Sequence, residues 1–227
     1  MQIIEIYKSL QGESSYAGLP CVFVRAAGCN LRCVWCDSEY TFKGGKCMTL
    51  DEIESEVRRL SPDGGLVEIT GGEPMLQEAQ VVELMDRLVA AGYTVLLETS
   101  GERLLDKVPK PVVKVVDVKC PNSGEGGTFR VENLQHLTPR DEVKFVIASR
   151  TDYEFAREFI REHGLNGKGS SVILSPAFRK DASGSRDTSH CMLDPCDLAE
   201  WMLADGLNAR LGLQIHKLIW EPSLKGV

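Results

Sequence analysis

Three cysteines within eight residues are the first place where this sequence could do chemistry. Cys29, Cys33 and Cys36 follow a C-x3-C-x2-C spacing, close enough for one loop to offer three thiolates to an inorganic centre. Two centres compete for them. Structural zinc takes four protein ligands, usually Cys or His. Cys47 would be the fourth, since the nearest histidine is distant at His136. A [4Fe-4S] cubane also has four ligand positions, and three cysteines would leave one iron open to another molecule. The cysteines alone do not choose. A disulfide framework is the weakest reading of the eight cysteines. The chain opens Met1-Gln2-Ile3-Ile4-Glu5, without a basic stretch leading into an apolar run, so the expected compartment is the reducing cytoplasm.

Further chemistry-bearing residues stand at the ends of short apolar runs. They are Arg25 before the cysteine loop, Thr70-Gly71-Gly72-Glu73-Pro74, Glu98-Thr99-Ser100-Gly101, Asp117-Val118-Lys119-Cys120-Pro121 and Ser175-Pro176. The elements that must position them read as buried strands: Cys21 to Ala26, Leu66 to Thr70, Tyr93 to Glu98, Val112 to Val118, Val143 to Ile147, Val172 to Leu174 and Leu211 to Ile215. Helical patterns lie between several of them. Thr49 and Glu52 form a capping box ahead of Ile53, Val57 and Leu60. Val81, Met85, Leu88 and Val89 share one face of a second helix, which Gly92 ends. Phe155, Phe159 and Ile160 mark a third, and Leu198, Trp201 and Met202 a fourth.

Strands alternating with amphipathic helices predict βα units around a parallel sheet. In such folds the functional loops gather at the carboxyl ends of the strands. A ring of polar and glycine-rich turns around that edge describes a cofactor site, which a structural zinc knob would not need. About six units in 227 residues are too few for a closed eight-fold barrel. The expected fold is therefore an open, partial TIM-like barrel formed by one domain over residues 1–227. Hydrophobic residues at 43% and charged residues at 26% suit a chain with a sizeable core. The formal charge of -7 argues against broad nucleic-acid or membrane-surface binding. No apolar run approaches the roughly 18 residues of a membrane span. The glycine- and serine-rich stretches at 122–128 and 179–189 read as loops.

Taken together, the cysteine loop and Gly71-Gly72-Glu73-Pro74 resemble the cluster motif and the GGEP motif of the radical S-adenosylmethionine enzymes. A narrower resemblance covers nearly the whole chain. Ser9-Leu10-Gln11-Gly12-Glu13, the run from Val22 to Ser38, Glu98 to Gly101, Asp117-Val118-Lys119 and His216-Lys217-Leu218-Ile219-Trp220 are similar to the 7-carboxy-7-deazaguanine synthase family of the queuosine pathway. The resemblance implies a radical SAM core. It also implies conversion of 6-carboxy-5,6,7,8-tetrahydropterin to 7-carboxy-7-deazaguanine with loss of ammonia. The reaction would start with hydrogen abstraction at C6 by a 5'-deoxyadenosyl radical.

The same resemblance assigns roles. Cys29, Cys33 and Cys36 would hold the cluster, whose open iron takes the amino and carboxylate groups of S-adenosylmethionine. Gly71 and Gly72 would let the backbone approach the methionine part, and Glu73 would accept a hydrogen bond from its ammonium. Trp35, Asp37, Ser100, Lys119, Cys120, Pro121 and Ser175 complete the expected cofactor-binding set. Arg25 would grip the substrate carboxylate, since a guanidinium suits that planar anion. Leu10, Gln11, Gly12, Glu13, Thr70, His216 and the terminal Val227 would contact the rest of the pterin. Ser38 would ligate Mg2+, which takes hard oxygen ligands and keeps several waters. A homodimer and an electron donor such as flavodoxin or ferredoxin are implied as partners, and no auxiliary cluster is expected. Two rival readings remain at this point. One is a glycyl-radical-activating enzyme acting on a protein. The other is a zinc-stabilised binding module using Cys47.

Overall fold

Apolar runs rich in Val, Ile and Leu build one nine-stranded sheet, and the alternation within each run decides which side chains face helices and which face inward. The structure is a computed structural model and describes residues 1–167 and 171–226. Its elements are β1 (Gln2–Leu10), β2 (Pro20–Ala26), β3 (Lys46–Cys47), α1 (Leu50–Leu60), β4 (Leu66–Gly71), α2 (Glu78–Ala90), β5 (Thr94–Thr99) and β6 (Val113–Asp117). They continue as β7 (Glu142–Ile147), α3 (Arg150–Glu162), β8 (Ser171–Pro176), α4 (Pro195–Ala204), β9 (Arg210–Leu211) and α5 (His216–Ile219). The sheet order is β3-β1-β2-β4-β5-β6-β7-β8-β9.

From β2 to β9 every neighbouring pair is parallel, whereas β1 runs antiparallel to both β2 and β3. The two ends of the sheet do not meet, so the fold is a partial TIM-like barrel. Six crossovers link the seven parallel strands, and four of them carry an α-helix. The β5–β6 connection has none, and short 3-10 turns at Pro121–Ser123 and Val131–His136 fill the β6–β7 connection.

Two departures from the sequence reading concern the edges. β1 is the longest strand and was not anticipated, because its side chains are mostly half-buried and show little alternation. The expected strand Leu211 to Ile215 shrinks to Arg210–Leu211. Gly212 still donates its amide to Leu174 O at 2.8 Å, but Ile215 turns its amide away from the sheet to Gly12 O at 2.9 Å.

The helix-facing side of the sheet is uniformly apolar. Val22, Val24, Val67, Ile69, Val95 and Leu97 pack against Ile53 and Val57 of α1 and Val81, Leu84, Met85 and Leu88 of α2. Val143, Phe145, Val172 and Leu174 do the same with Tyr153, Ala156 and Ile160 of α3 and Leu198 and Met202 of α4. Phe155 and Phe159, expected to mark the α3 core face, are only partly buried at its margin. The anticipated capping box is present: Thr49 Oγ1 accepts from Glu52 N at 3.2 Å, and Glu52 Oε2 accepts from Thr49 N at 2.7 Å. Gly92 follows α2 at φ +88°, a left-handed conformation that glycine adopts freely.

The opposite, inner side is different. A small apolar cluster of Cys21, Phe23, Leu66, Leu96, Val113 and Val115 lies near the amino ends of the strands, with Tyr7 stacked on Phe23 at 5.1 Å. Beyond it, toward the carboxyl ends, the inward positions become Arg25, Glu68, Thr70, Glu98, Asp117 and Lys144. No helix of the described residues is long and apolar enough to cross a membrane.

Candidate active site

The inward polar residues border a cavity of about 450 Å³, roofed by the cysteine loop and floored by the β1–β2 loop. Cys29, Cys33 and Cys36 all line it as half-buried free thiols. Their loop is fixed by backbone contacts: Gly28 N donates to Thr41 O at 2.7 Å, Cys36 N to Cys33 O at 3.1 Å, and Val34 N to Ser123 O at 2.9 Å. Burial pushes all three thiols up, while the Lys119 ammonium favours their thiolate forms. Nearby iron would supply the remaining positive charge that thiolate ligation requires.

The donor chemistry bears on which centre fits. Structural zinc takes four protein ligands, whereas a cubane held by three cysteines keeps one iron open. Cys47 does not line the cavity and sits exposed on β3, paired in register with Gln2. The donor set therefore suits a cluster with three cysteine ligands.

The Gly-Gly turn after β4 is built against this loop. A Cβ on Gly71 would come within 2.3 Å of Ala26 O, and one on Gly72 within 2.3 Å of Gly28 O and 2.7 Å of Cys29 Cβ. Gly71 also has φ +150°. The glycines thus bring two strand ends together, and Glu73 N seals the contact on Gly28 O at 2.9 Å. Beside the expected approach to a ligand, the two glycines have a structural reason of their own, the contact between the two motifs. Glu73 is 1% exposed, and its carboxylate accepts four hydrogen bonds, from Met75 N, Thr99 Oγ1, Ser100 N and Ser100 Oγ at 2.7–3.0 Å. It is a rigid acceptor whose lone pairs are already engaged by the chain.

Below lies a charged cluster. Lys144 Nζ donates to Glu13 Oε2 at 2.7 Å and to Glu98 Oε1, and stands 3.9 Å from Asp117 Oδ2. Lys119 Nζ donates to the same Asp117 oxygen at 2.7 Å. Glu68 Oε2 accepts from Gln11 Nε2. Burial would raise the Glu13 carboxyl, but the Lys144 ammonium outweighs it and holds Glu13 down at about 2. Burial pushes Glu68 up strongly and Glu98 less, each opposed by Lys144. Burial alone would depress Lys144, yet Glu13, Glu98 and Asp117 drive it upward.

The sequence reading missed Glu68 and Lys144, and it marked Glu98 and Asp117 only as strand-end residues without giving them a role in the site. A signal did exist: each is a charged residue inside an otherwise apolar strand, at a position that alternates inward.

The floor is the loop 11–15. Gln11 Oε1 accepts from Glu13 N at 2.5 Å and Ser14 N at 3.2 Å. Glu13 Oε1 accepts from Gln214 Nε2 at 2.7 Å. A Cβ on Gly12 would reach within 2.1 Å of His216 Nδ1, so only glycine fits under that ring. Burial lowers His216 and keeps it neutral near pH 7.

Arg25 lines the cavity with Nε on Glu5 Oε1 and Nη2 on Tyr7 OH, both at 2.8 Å. Nη1 has no hydrogen-bond partner among the described residues. On the other wall, Ser38 Oγ donates to Asp37 Oδ1 at 2.9 Å, and Lys217 Nζ donates to Asp37 Oδ2 at 2.6 Å.

Of the anticipated residues, Trp35, Asp37, Ser38, Gly71, Gly72, Glu73, Ser100, Lys119, Leu10, Gln11, Gly12, Glu13, Arg25, Thr70 and His216 share this one cavity with the three cysteines. Cys120, Pro121 and Ser175 do not line it. Cys120 is buried in the α3-side core, Pro121 is exposed at the start of a 3-10 turn, and Ser175 is buried on β8. Val227 lies outside the described residues.

Comparison with known proteins places this geometry. Residues 23–118 match the radical SAM superfamily. Along its whole length the chain is 70% identical to the 7-carboxy-7-deazaguanine synthase of Koribacter versatilis, covering 100% of both chains. The chain belongs to the 7-carboxy-7-deazaguanine synthase family. The Chlorobaculum tepidum enzyme of that name is 43% identical, over 100% of this chain and 97% of that one. In fold, the solved structure of QueE from Escherichia coli superposes with a TM-score of 0.70 at 23% identity, covering 93% of this chain and 92% of that one. Membership in the 7-carboxy-7-deazaguanine synthase family sets aside both the glycyl-radical-activating and the zinc-module readings. With the superfamily come the [4Fe-4S] cluster and S-adenosylmethionine, for which the cysteine loop has the right donors.

Proposed function

We propose that the chain converts 6-carboxy-5,6,7,8-tetrahydropterin into 7-carboxy-7-deazaguanine with release of ammonia. The observation that carries this reading is that seven residues expected to hold the pterin line one cavity with the three cluster cysteines. Cys29, Cys33 and Cys36 hold the cluster and leave one iron position for S-adenosylmethionine. When bound, the two cofactors supply one-electron hydrogen abstraction at substrate C6, and ring contraction and ammonia loss follow.

The chain's own residues bind, orient and exclude water. Glu73, oriented by four hydrogen bonds, would accept from the methionine ammonium once the Thr99 or Ser100 hydroxyl that now donates to it rotates away. Lys119, Ser100, Trp35 and Asp37 line the rest of the cofactor side. Arg25 keeps Nη1 for the substrate carboxylate while Glu5 and Tyr7 aim its plane. Gln11, Gly12 and Glu13 read the donor-rich edge of the pterin, with Leu10, Thr70 and neutral His216 around it. Val227 adds a terminal carboxylate in this reading.

The proposal extends to several further features. Ser38 gives its proton to Asp37 and has lone pairs for Mg2+, a cation that accepts one protein oxygen when substrate and waters supply the others. A flavodoxin or ferredoxin delivers the electron. The enzyme works as a cytoplasmic homodimer of single-domain chains.

Anaerobic reconstitution tests the reading. The expected product is a brown protein with about four irons per chain, unaffected by Cys47→Ala. A colourless zinc protein that needs Cys47 would contradict it. Arg25→Ala should raise the pterin KM by about 10- to 100-fold, and an unchanged KM would remove Arg25 from the carboxylate role.

A further inference from the structure

The floor of the cavity has an unusual construction. Loop 11–15 leaves the end of β1 that pairs with the start of β2, so it enters the barrel from the side opposite the cysteine loop. Within the loop Glu13 is held only by its amide, which donates to Gln11 Oε1 at 2.5 Å. Its carboxylate is clamped from elsewhere, by Lys144 of β7 at 2.7 Å and Gln214 at 2.7 Å. Lys144 is 3% exposed, and its chain emerges between Val143 and Phe145, both fully buried on the other face. Glu98 of β5 and Asp117 of β6 surround the same ammonium, and Lys119, His216 and Glu68 complete the ionisable neighbourhood. One buried cation thus balances several carboxyls while making its direct contact with the loop at Glu13.

We propose that Lys144 is a positioning residue for substrate: it acts through Glu13, fixing that carboxylate in place and in its ionised form under the pterin. The inference rests on the assignment of Glu13 to the pterin edge. Lys144 does not touch the cofactor motifs: Cys29, Cys33, Cys36, Gly72 and Glu73 have their own anchors at the roof. Removing the ammonium leaves Glu13 beside Glu98 and Asp117 with no direct counter-charge, so Glu13 takes up a proton and keeps only the Gln214 hydrogen bond as its side-chain anchor. Substrate affinity should suffer while cofactor loading does not.

The experiment uses the reconstituted holoenzyme and the variants Lys144→Met, Lys144→Arg and Glu13→Gln. Lys144→Met should raise the pterin KM about 10- to 100-fold, with kcat lowered less, and with iron content and S-adenosylmethionine affinity within about twofold of wild type. Its KM should improve as pH rises and Glu13 ionises again, whereas wild type stays flat; Lys144→Arg should recover part of the loss. In a Glu13→Gln background, Lys144→Met should add less than about threefold, as expected for a residue acting through Glu13. Lys144→Gln carries the same expectations if the methionine variant fails to fold. A pterin KM within threefold of wild type overturns the proposal, as does a parallel loss of iron and S-adenosylmethionine binding. If Glu13→Gln leaves KM unchanged, the assignment of Glu13 fails and this proposal falls with it. If Glu13→Gln raises KM and Lys144→Met does not, the positioning role alone is wrong.

Discussion

The two faces of the sheet use neighbouring residues for opposite purposes. Leu97 and Glu98 are adjacent on β5. Leu97 is fully buried against the helices, while Glu98 meets the Lys144 ammonium inside the barrel. Val67 and Glu68, or Phe145 and Lys144, repeat the contrast. On the helix side, stability scales with apolar area and fit. On the inner side, a net cost of burying charge is accepted because each group is matched by a partner, and the result is a shaped polar surface. The lesson is that fold and chemistry are separated by alternation along the same strands, so variants on one face should report almost independently of the other.

The largest expected effect sits on the inner side. Cys33→Ala should abolish iron loading and turnover yet leave the unfolding midpoint of the iron-free protein close to wild type, as read by iron analysis and denaturant titration. A large loss of stability would mean the two faces are not separate. Next comes the helix side: Leu97→Ala should cost about 2–5 kcal/mol of stability, with the pterin KM of the folded fraction unchanged. A shifted KM would break the comparison from the other direction.

Gly72→Ala joins the two faces and should harm both. Its Cβ would lie 2.3 Å from Gly28 O, so β4 and the cysteine loop must separate. A loss of about 1–3 kcal/mol together with weaker iron retention is expected, measured by thermal unfolding and chelator challenge.

A subtler effect concerns acid. The folded chain keeps Glu13 ionised down to about 2, whereas its ordinary value is 4.5. The stabilisation from this group is therefore complete above about pH 4.5 and is lost as pH falls toward 2. His216 adds to the same acid sensitivity, since burial favours its neutral form and protonation below its ordinary 6.5 works against the fold. Glu13→Gln should flatten the acid limb of a stability-versus-pH curve below about pH 4.5. An unchanged slope there would show that Lys144 does not stabilise the charged carboxylate. The smallest effect is expected at Thr49→Ala, about 1 kcal/mol, with no change in activity, because the capping box of α1 faces solvent.

Local motifs made much of this legible before any geometry. The cysteine spacing, the Gly-Gly-Glu-Pro turn and the strand-end residues Arg25, Ser100 and Lys119 are short-range patterns, and they do meet in one cavity. The interior cluster was hidden because Glu13, Lys144 and Glu98 are far apart in sequence and each alone resembles an ordinary polar position in a loop or strand. A packing reason for Gly71 and Gly72 was invisible on the same ground: the atoms that forbid a side chain there belong to Ala26 and Gly28, far away in sequence. β1 escaped notice because a strand next to the two-residue edge strand β3, half-buried along most of its length, shows little alternation. At the other edge, β9 is shorter than its apolar run because the amide of Ile215 is drawn to Gly12 instead of the sheet.

The central claim is that the inner face of this sheet is a radical SAM site for a carboxylated tetrahydropterin. The most direct measurement is anaerobic turnover of 6-carboxy-5,6,7,8-tetrahydropterin by the reconstituted enzyme with reductant and S-adenosylmethionine, with the product identified by mass. The account predicts 7-carboxy-7-deazaguanine and one ammonia per turnover. An iron-loaded protein that binds S-adenosylmethionine but leaves the pterin unchanged would contradict it.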